Sequence, residues 1–269
     1  MVFCTVHVPL VHPVWAVKQL ATADHIGRGR LGLNIVVGWN QREFSMFGRE
    51  LMPHDDRYEF AAEWFGIVER IWAAEGPFDH ETRRFSLQGV MGAPAPVGGT
   101  RSLIMNAGIS AAGLDFAVQH ADVSLVTMQS LEEATVRIGR MRAMPGSERV
   151  QVFGTALVVC RPTRAEALAY LERYSGEYGD YEAVDDALAR FSDYDGVVDP
   201  EMYADFRKTF AASHGMLQIV RSPDDVARQL ATLHHEGMAG VALTFVNHLE
   251  EVPFFREQVI PRLVELGVR

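Results

Sequence analysis

Two hydrophobic patterns alternate along the chain. Val2–Val8, Leu31–Trp39, Leu103–Gly108, Asp122–Met128, Val150–Cys160 and Gly240–Val246 are short, nearly continuous apolar runs rich in Val, Ile and Leu. Such runs predict strands buried on both faces of a parallel sheet. Between them, apolar residues recur every three or four positions. Val14, Val17, Leu20 and Ala21 predict a helix over His12–Gly27, and Ala61, Trp64, Phe65, Val68 and Ile71 predict one over Arg57–Ala74. The same spacing predicts helices over Ser110–His120, Leu131–Met144, Thr163–Tyr178, Ser222–Glu236 and Leu249–Leu266. Ser222 followed by Pro223 is a helix start, with a capping hydroxyl and then a proline in the first turn. Asn40–Asp56 reads as irregular. Gly76–Gly99 reads as a hairpin, Phe78–His80 against Arg84–Leu87, and then a Pro/Gly-rich loop. Gly179–His214 is polar and aromatic and reads as helical insertions.

Repeated strand–helix units predict a parallel sheet covered by helices. Six units can be counted, whereas a closed (β/α)8 barrel has eight. An open doubly wound sheet could use six. However, the glycine-rich piece Gly27-Arg28-Gly29-Arg30-Leu31-Gly32 precedes a strand, and a dinucleotide-binding turn would follow one.

Composition narrows the function. The formal net charge of -10 argues against nucleic acid and anionic membrane as partners and favours small molecules. Cys4 and Cys160 lie far apart in apolar runs, so a disulfide framework is not expected and a reducing, cytoplasmic setting is. No CxxC, HExxH or Cys/His cluster is present, so no metal site is expected. No apolar run has the length of a membrane span, and the first residues lack the pattern of a signal peptide.

Several segments carry a more specific signal. These are His12-Pro13-Val14, Lys18 to Gly38-Trp39-Asn40 with Asn34 inside it, Glu43-Phe44 to Gly48, His54-Asp55-Asp56-Arg57-Tyr58-Glu59, Ala107-Gly108-Ile109-Ser110 and Gly240 to Phe245. In this order and spacing, over essentially the whole of 1–269, the chain resembles the bacterial luciferase-like flavin-dependent monooxygenases. Its pyrimidine oxygenases and its dimethylsulfone and alkanesulfonate monooxygenases look nearest. The resemblance implies a TIM barrel of the luciferase-like type, with the chain starting after the first two βα units, roughly 60 residues at about 30 per unit. It also implies reduced FMN supplied by a partner flavin reductase, O2 as co-substrate, a small organic substrate and a possible homo-oligomer. Two other readings stay open: a deazaflavin (F420)-dependent oxidoreductase of the same superfamily, and a flavin-binding fragment without catalysis.

Candidate residues follow. Asn34 interrupts a buried apolar strand, where an amide must find partners. It is either a backbone-bonded core amide or, as the resemblance implies, a catalytic and cofactor-binding residue at the flavin edge. Thr5 is either a β-branched wall residue or a catalytic neighbour of the same edge. Glu43 is a loop carboxylate or an FMN ligand. Arg57 and Tyr58 offer a forked cation and a hydroxyl for the FMN phosphate, or form an ordinary helix start. Ser110, after Gly108, caps a helix whose N-terminus suits phosphate. His7, His12 and His248 are candidates for the substrate pocket, beside the plainer reading of structural histidines, and Asn247 stands next to them. Trp39 reads as a core residue, beside the alternative of packing on the flavin ring. Arg221 stands where relatives often have a small residue and is either a phosphate contact or a surface arginine.

Overall fold

The computed structural model describes residues 1–99, 101–195 and 200–268. The chain divides into two compact units, one formed by Met1–Leu125 with Met144–Gln151, the other by Val126–Ala143 and the chain from Val152 onward.

The first unit holds β1 (Val2–His7), α1 (Pro13–Gly27), β2 (Leu31–Val36), α2 (Gln41–Met46), α3 (His54–Ala73), the β3–β4 hairpin (Phe78–Glu81 and Ser86–Val90), β5 (Leu103–Asn106), α4 (Ala111–His120) and β6 (Val123–Val126). Strands β1, β2, β5 and β6 pair in parallel in that order, and β3 pairs antiparallel with β4. Leu33, Ile35 and Ile104 alternate with Asn34 and Met105 along β2 and β5, so they project from the other face of the sheet, and they are fully buried. Trp64, Phe65, Val68 and Ile71 bury the predicted stripe of α3. Each large side chain buried this way stabilises the fold by about 1.5–3 kcal/mol. Trp64 Nε1 also donates to the Val11 carbonyl at 2.8 Å. Asp24, in α1, is 4% exposed. It accepts Leu31 N at 3.3 Å and Val97 N at 2.9 Å, which meets the cost of burying a carboxylate.

The second unit holds α5 (Leu131–Arg142), β7 (Gln151–Cys160), α6 (Arg164–Leu171), α7 (Tyr181–Asp195), α8 (Pro200–Ser213), β8 (Leu217–Arg221), α9 (Pro223–His235), β9 (Gly240–Thr244), α10 (His248–Gln258) and α11 (Ile260–Glu265). β7 is central, with β8 and β9 parallel on its two sides. Arg161, just after β7, donates to Glu251 Oε1 at 2.6 Å and lies 3.8 Å over the Tyr170 ring. Burial and the Glu251 carboxylate push the phenols of Tyr170 and Tyr174 above the ordinary tyrosine range.

Several sequence expectations need correction. Among the described residues, parallel strands number seven rather than six, because Leu217–Arg221 is also a strand. Gln218 and Arg221 break its apolar run, which hid it. The irregular Asn40–Asp56 contains α2, a single short helix held by its cap: Asn40 Oδ1 accepts Arg42 N and Glu43 N. The helix expected from Arg57 begins at His54. The helix expected over Thr163–Tyr178 relaxes after Leu171 into a π-helical turn over Glu172–Glu177. The closing helix is two helices, with Pro261 unable to donate a backbone bond near the second start. Within 179–214 the described residues hold the expected helices, α7 (Tyr181–Asp195) and α8 (Pro200–Ser213).

The two thiols differ. Cys4 is exposed on β1, whereas Cys160 is buried and its thiol is pushed up to about 11, chiefly by that burial. A thiol reagent at pH 8 is expected to label one cysteine per folded chain quickly, the one at position 4, and the second only on unfolding. Rapid labelling of both, or of Cys160 first in a peptide map, would contradict this packing.

Candidate functional site

The register of the first unit brings the two central candidates together. Thr5 pairs with Asn34, and Asn34 with Met105, so the three lie side by side on one face. Asn34 Nδ2 donates to Thr5 Oγ1 at 3.1 Å. Asn34 Oδ1 is shut off from solvent and meets no donor among the described residues. A buried amide oxygen left so costs free energy on the order of 1–3 kcal/mol, so it marks a place where a ligand N–H would be stabilised. Thr5 accepts from Asn34 and keeps its own O–H proton for another acceptor.

The chain leaves β2 through Gly38, at φ +85°, a left-handed conformation that favours glycine. A Cβ there would also come within 2.4 Å of the Phe44 ring. The turn therefore sits directly on α2. Arg57 is 3% exposed and its Nη1 donates to the Gly38 carbonyl, so this guanidinium clamps the turn from below. Glu43, on α2, lies 3.6 Å (Oε2) from His7 Nδ1 at the end of β1, so the two candidates pair with each other. Both are partly exposed.

β5 ends at Asn106 and the chain turns through Gly108 to Ser110, whose Oγ accepts Gly113 N at 3.1 Å and caps α4. Gly108 and Gly113 are packed face to face. A Cβ on Gly108 would lie 2.4 Å from the Tyr58 hydroxyl and 2.9 Å from Gly113 Cα, and one on Gly113 would lie 2.7 Å from the same hydroxyl. Tyr58 and Ser110 are thus brought to one turn. Arg57, expected there too, spends Nη1 on Gly38.

The remaining candidates fall elsewhere. His12 precedes α1 as its N-cap residue and packs edge-on against Phe85 at 6.0 Å. It lines a groove of about 720 Å³ with Trp15, Lys18 and the β4 residues. His248 opens α10 in the second unit, edge-on to Phe245 at 5.8 Å, and Asn247 caps that helix by accepting Leu249 N. Arg221 donates to Gln229 Oε1 at 3.2 Å. Trp39 is 38% exposed beyond the end of β2, which corrects the expectation of a core residue. No group of metal-binding side chains occurs among the described residues, and no described helix is long and apolar enough to cross a membrane. Sequence reasoning missed Asn106. Its signal was present: a polar residue at the end of an apolar strand, the same signal that drew attention to Asn34.

A parallel α/β scaffold with polar groups at strand ends and a glycine turn before a helix is the setting in which such folds hold phosphorylated cofactors. The chain belongs to the luciferase-like monooxygenase family, whose model matches residues 1–240. That places it among the flavin-dependent oxidoreductases that incorporate oxygen. It is 29% identical over 268 residues to an FMNH2-dependent dimethylsulfone monooxygenase of Pseudomonas fluorescens, covering 96% of this chain and 71% of the relative. It is 28% identical over 277 residues to the pyrimidine monooxygenase RutA of Acinetobacter baylyi, covering 97% and 72%. Its fold matches that of a riboflavin lyase solved with modified FMN and riboflavin, at a TM-score of 0.86 and 21% identity, over 99% of this chain and 70% of the other.

Proposed function

We propose that this chain binds reduced FMN, received from a separate flavin reductase, and uses O2 to oxygenate a small organic molecule. The observation that carries the reading is the Asn34 amide, with its donor on Thr5 and its buried oxygen unmet. The residues fit the cofactor. A ring N–H would satisfy Asn34 Oδ1, and Gly108, packed without a Cβ against Gly113 and the Tyr58 hydroxyl, holds the turn close to the start of α4, where first-turn backbone amides would receive a phosphate.

Reduced FMN, when bound, supplies the two electrons that let one atom of O2 enter the substrate while the other leaves as water. The protein's part is to bind, orient and shield. Asn34 accepts an N–H of the ring system. Thr5, its oxygen already receiving the Asn34 amide, donates its own proton to an oxygen atom at the same edge. Ser110 and the first-turn N–H groups of α4 take the phosphate, with the Tyr58 hydroxyl beside them. Arg57 works through the Gly38 carbonyl and keeps the β2 turn in place. His7 and Glu43 tie α2 to β1, and the loop beyond Trp39 helps to keep water from the ring.

The test is a titration of the purified chain with FMN, riboflavin and F420, the flavins both oxidised and anaerobically reduced, followed by fluorescence or calorimetry. Saturable binding of reduced FMN, tighter than that of riboflavin, is expected. Binding of F420 with none of FMN would replace the proposal with the deazaflavin reading. No binding of any of them would leave a chain without cofactor chemistry.

A further inference from the structure

We infer that Asn106 is a positioning residue that locks the phosphate turn to the strand carrying Asn34, and thereby sets the preference of the site for FMN over riboflavin. The inference deepens the proposed function and rests on its assignment of the turn before α4 to the phosphate. Asn106 is the last residue of β5 and is 2% exposed. Its side chain joins two elements. Nδ2 donates to the Ile35 carbonyl at 3.0 Å, one residue beyond Asn34 on β2, and Oδ1 accepts Gly108 N at 2.9 Å.

Both bonds are buried or partly buried and end on backbone groups, so the side chain ties the last β2 residue paired with β5 to the turn after β5. Asn106 therefore extends the β2–β5 pairing by one side-chain rung and bends the following turn back onto it. The Gly108 N–H is already engaged by Oδ1. The N–H groups left for an anion are those past it, at the start of α4. Oδ1 also lies 3.0 Å from where a Gly108 Cβ would stand, so the amide walls the turn as well as bonding it. The distance between the Asn34 amide and the start of α4 thus depends on one side chain that touches neither ring nor phosphate.

A loss of general stability would weaken FMN and riboflavin alike, since the two share the ring. A loosened turn weakens FMN alone. The experiment measures dissociation constants for FMN and riboflavin with the wild-type chain, Asn106→Ala and Asn106→Ser, with thermal denaturation of each. Serine keeps a small polar group that cannot span both partners, and serves if the alanine variant does not fold. The ratio of the two constants is expected to fall by roughly tenfold in the variants, as buried hydrogen bonds at the turn are lost. Riboflavin affinity is expected to change little. Folded variants that keep the wild-type ratio would overturn the positioning role. A wild-type chain that binds both equally tightly would overturn the phosphate assignment itself, and this inference with it.

Discussion

Asn34→Ala is expected to lower kcat/KM for oxygenation by roughly a hundredfold or more, the loss seen when one preorganised hydrogen-bonding group at a reacting centre is removed. The fold should tolerate the change. The amide makes one side-chain bond, to Thr5, and its oxygen makes none, so truncation removes an unsatisfied buried acceptor along with a single modest bond. Stability should therefore change by no more than about 1 kcal/mol, and the activity loss should appear in a chain with a near-normal melting curve. Thr5→Val isolates the other half of the pair. It keeps the β-branched shape and removes the hydroxyl, and should lower the rate by a smaller factor while FMN still binds. Steady-state assays with reductase-supplied flavin and the native substrate class check both variants. An Asn34→Ala enzyme with wild-type kcat/KM would remove this amide from the chemistry.

Glu251→Ala has the largest effect expected on stability. Glu251 is 6% exposed, and its two oxygens accept Arg161 Nη2 at 2.6 Å, Val246 N at 2.9 Å and Asn247 N at 3.3 Å. Removing it leaves a partly buried guanidinium without its carboxylate and two backbone donors without an acceptor, a loss of about 3 kcal/mol. For a chain of this size the melting temperature should fall by roughly 6–12 °C, at about 2–4 °C per kcal/mol. The pair Glu251→Ala with Arg161→Met should recover part of the loss, because it removes the stranded charge as well. Thermal denaturation of the single and double variants decides the matter. A double variant no more stable than the single would show that the backbone donors, and not the charge, dominate.

The strands that hold the site were legible because Leu31–Val36 and Leu103–Asn106 are short, mostly apolar runs, each with one asparagine that stands out against them. Leu217–Arg221 was not, because Gln218 side-bonds to Thr209 and Ser213, a tertiary use that looks like loop polarity in one dimension. The pairing of Thr5 with Asn34 is a matter of register, set by residues 29 apart in sequence that no local pattern relates. Arg57 shows the limit most clearly. A cation near a helix start suggests an anion; that this one is also buried, with Nη1 on a carbonyl 19 residues away, is a tertiary fact that no local pattern carries. Ser110 was legible because capping is local, a hydroxyl three residues before the amide it accepts.

The contact between Gly108, Gly113 and Tyr58 has an evolutionary consequence. If Tyr58 lost its hydroxyl, a methyl at position 108 would still meet Gly113 Cα at 2.9 Å, and one at 113 would still meet the Gly108 backbone at 2.8 Å. The usual route by which a protein drifts, one tolerated exchange opening the way to the next, is closed here at its first step. The turn can stay as it is or be rebuilt together with the helix behind it, while strands and helices around it change freely.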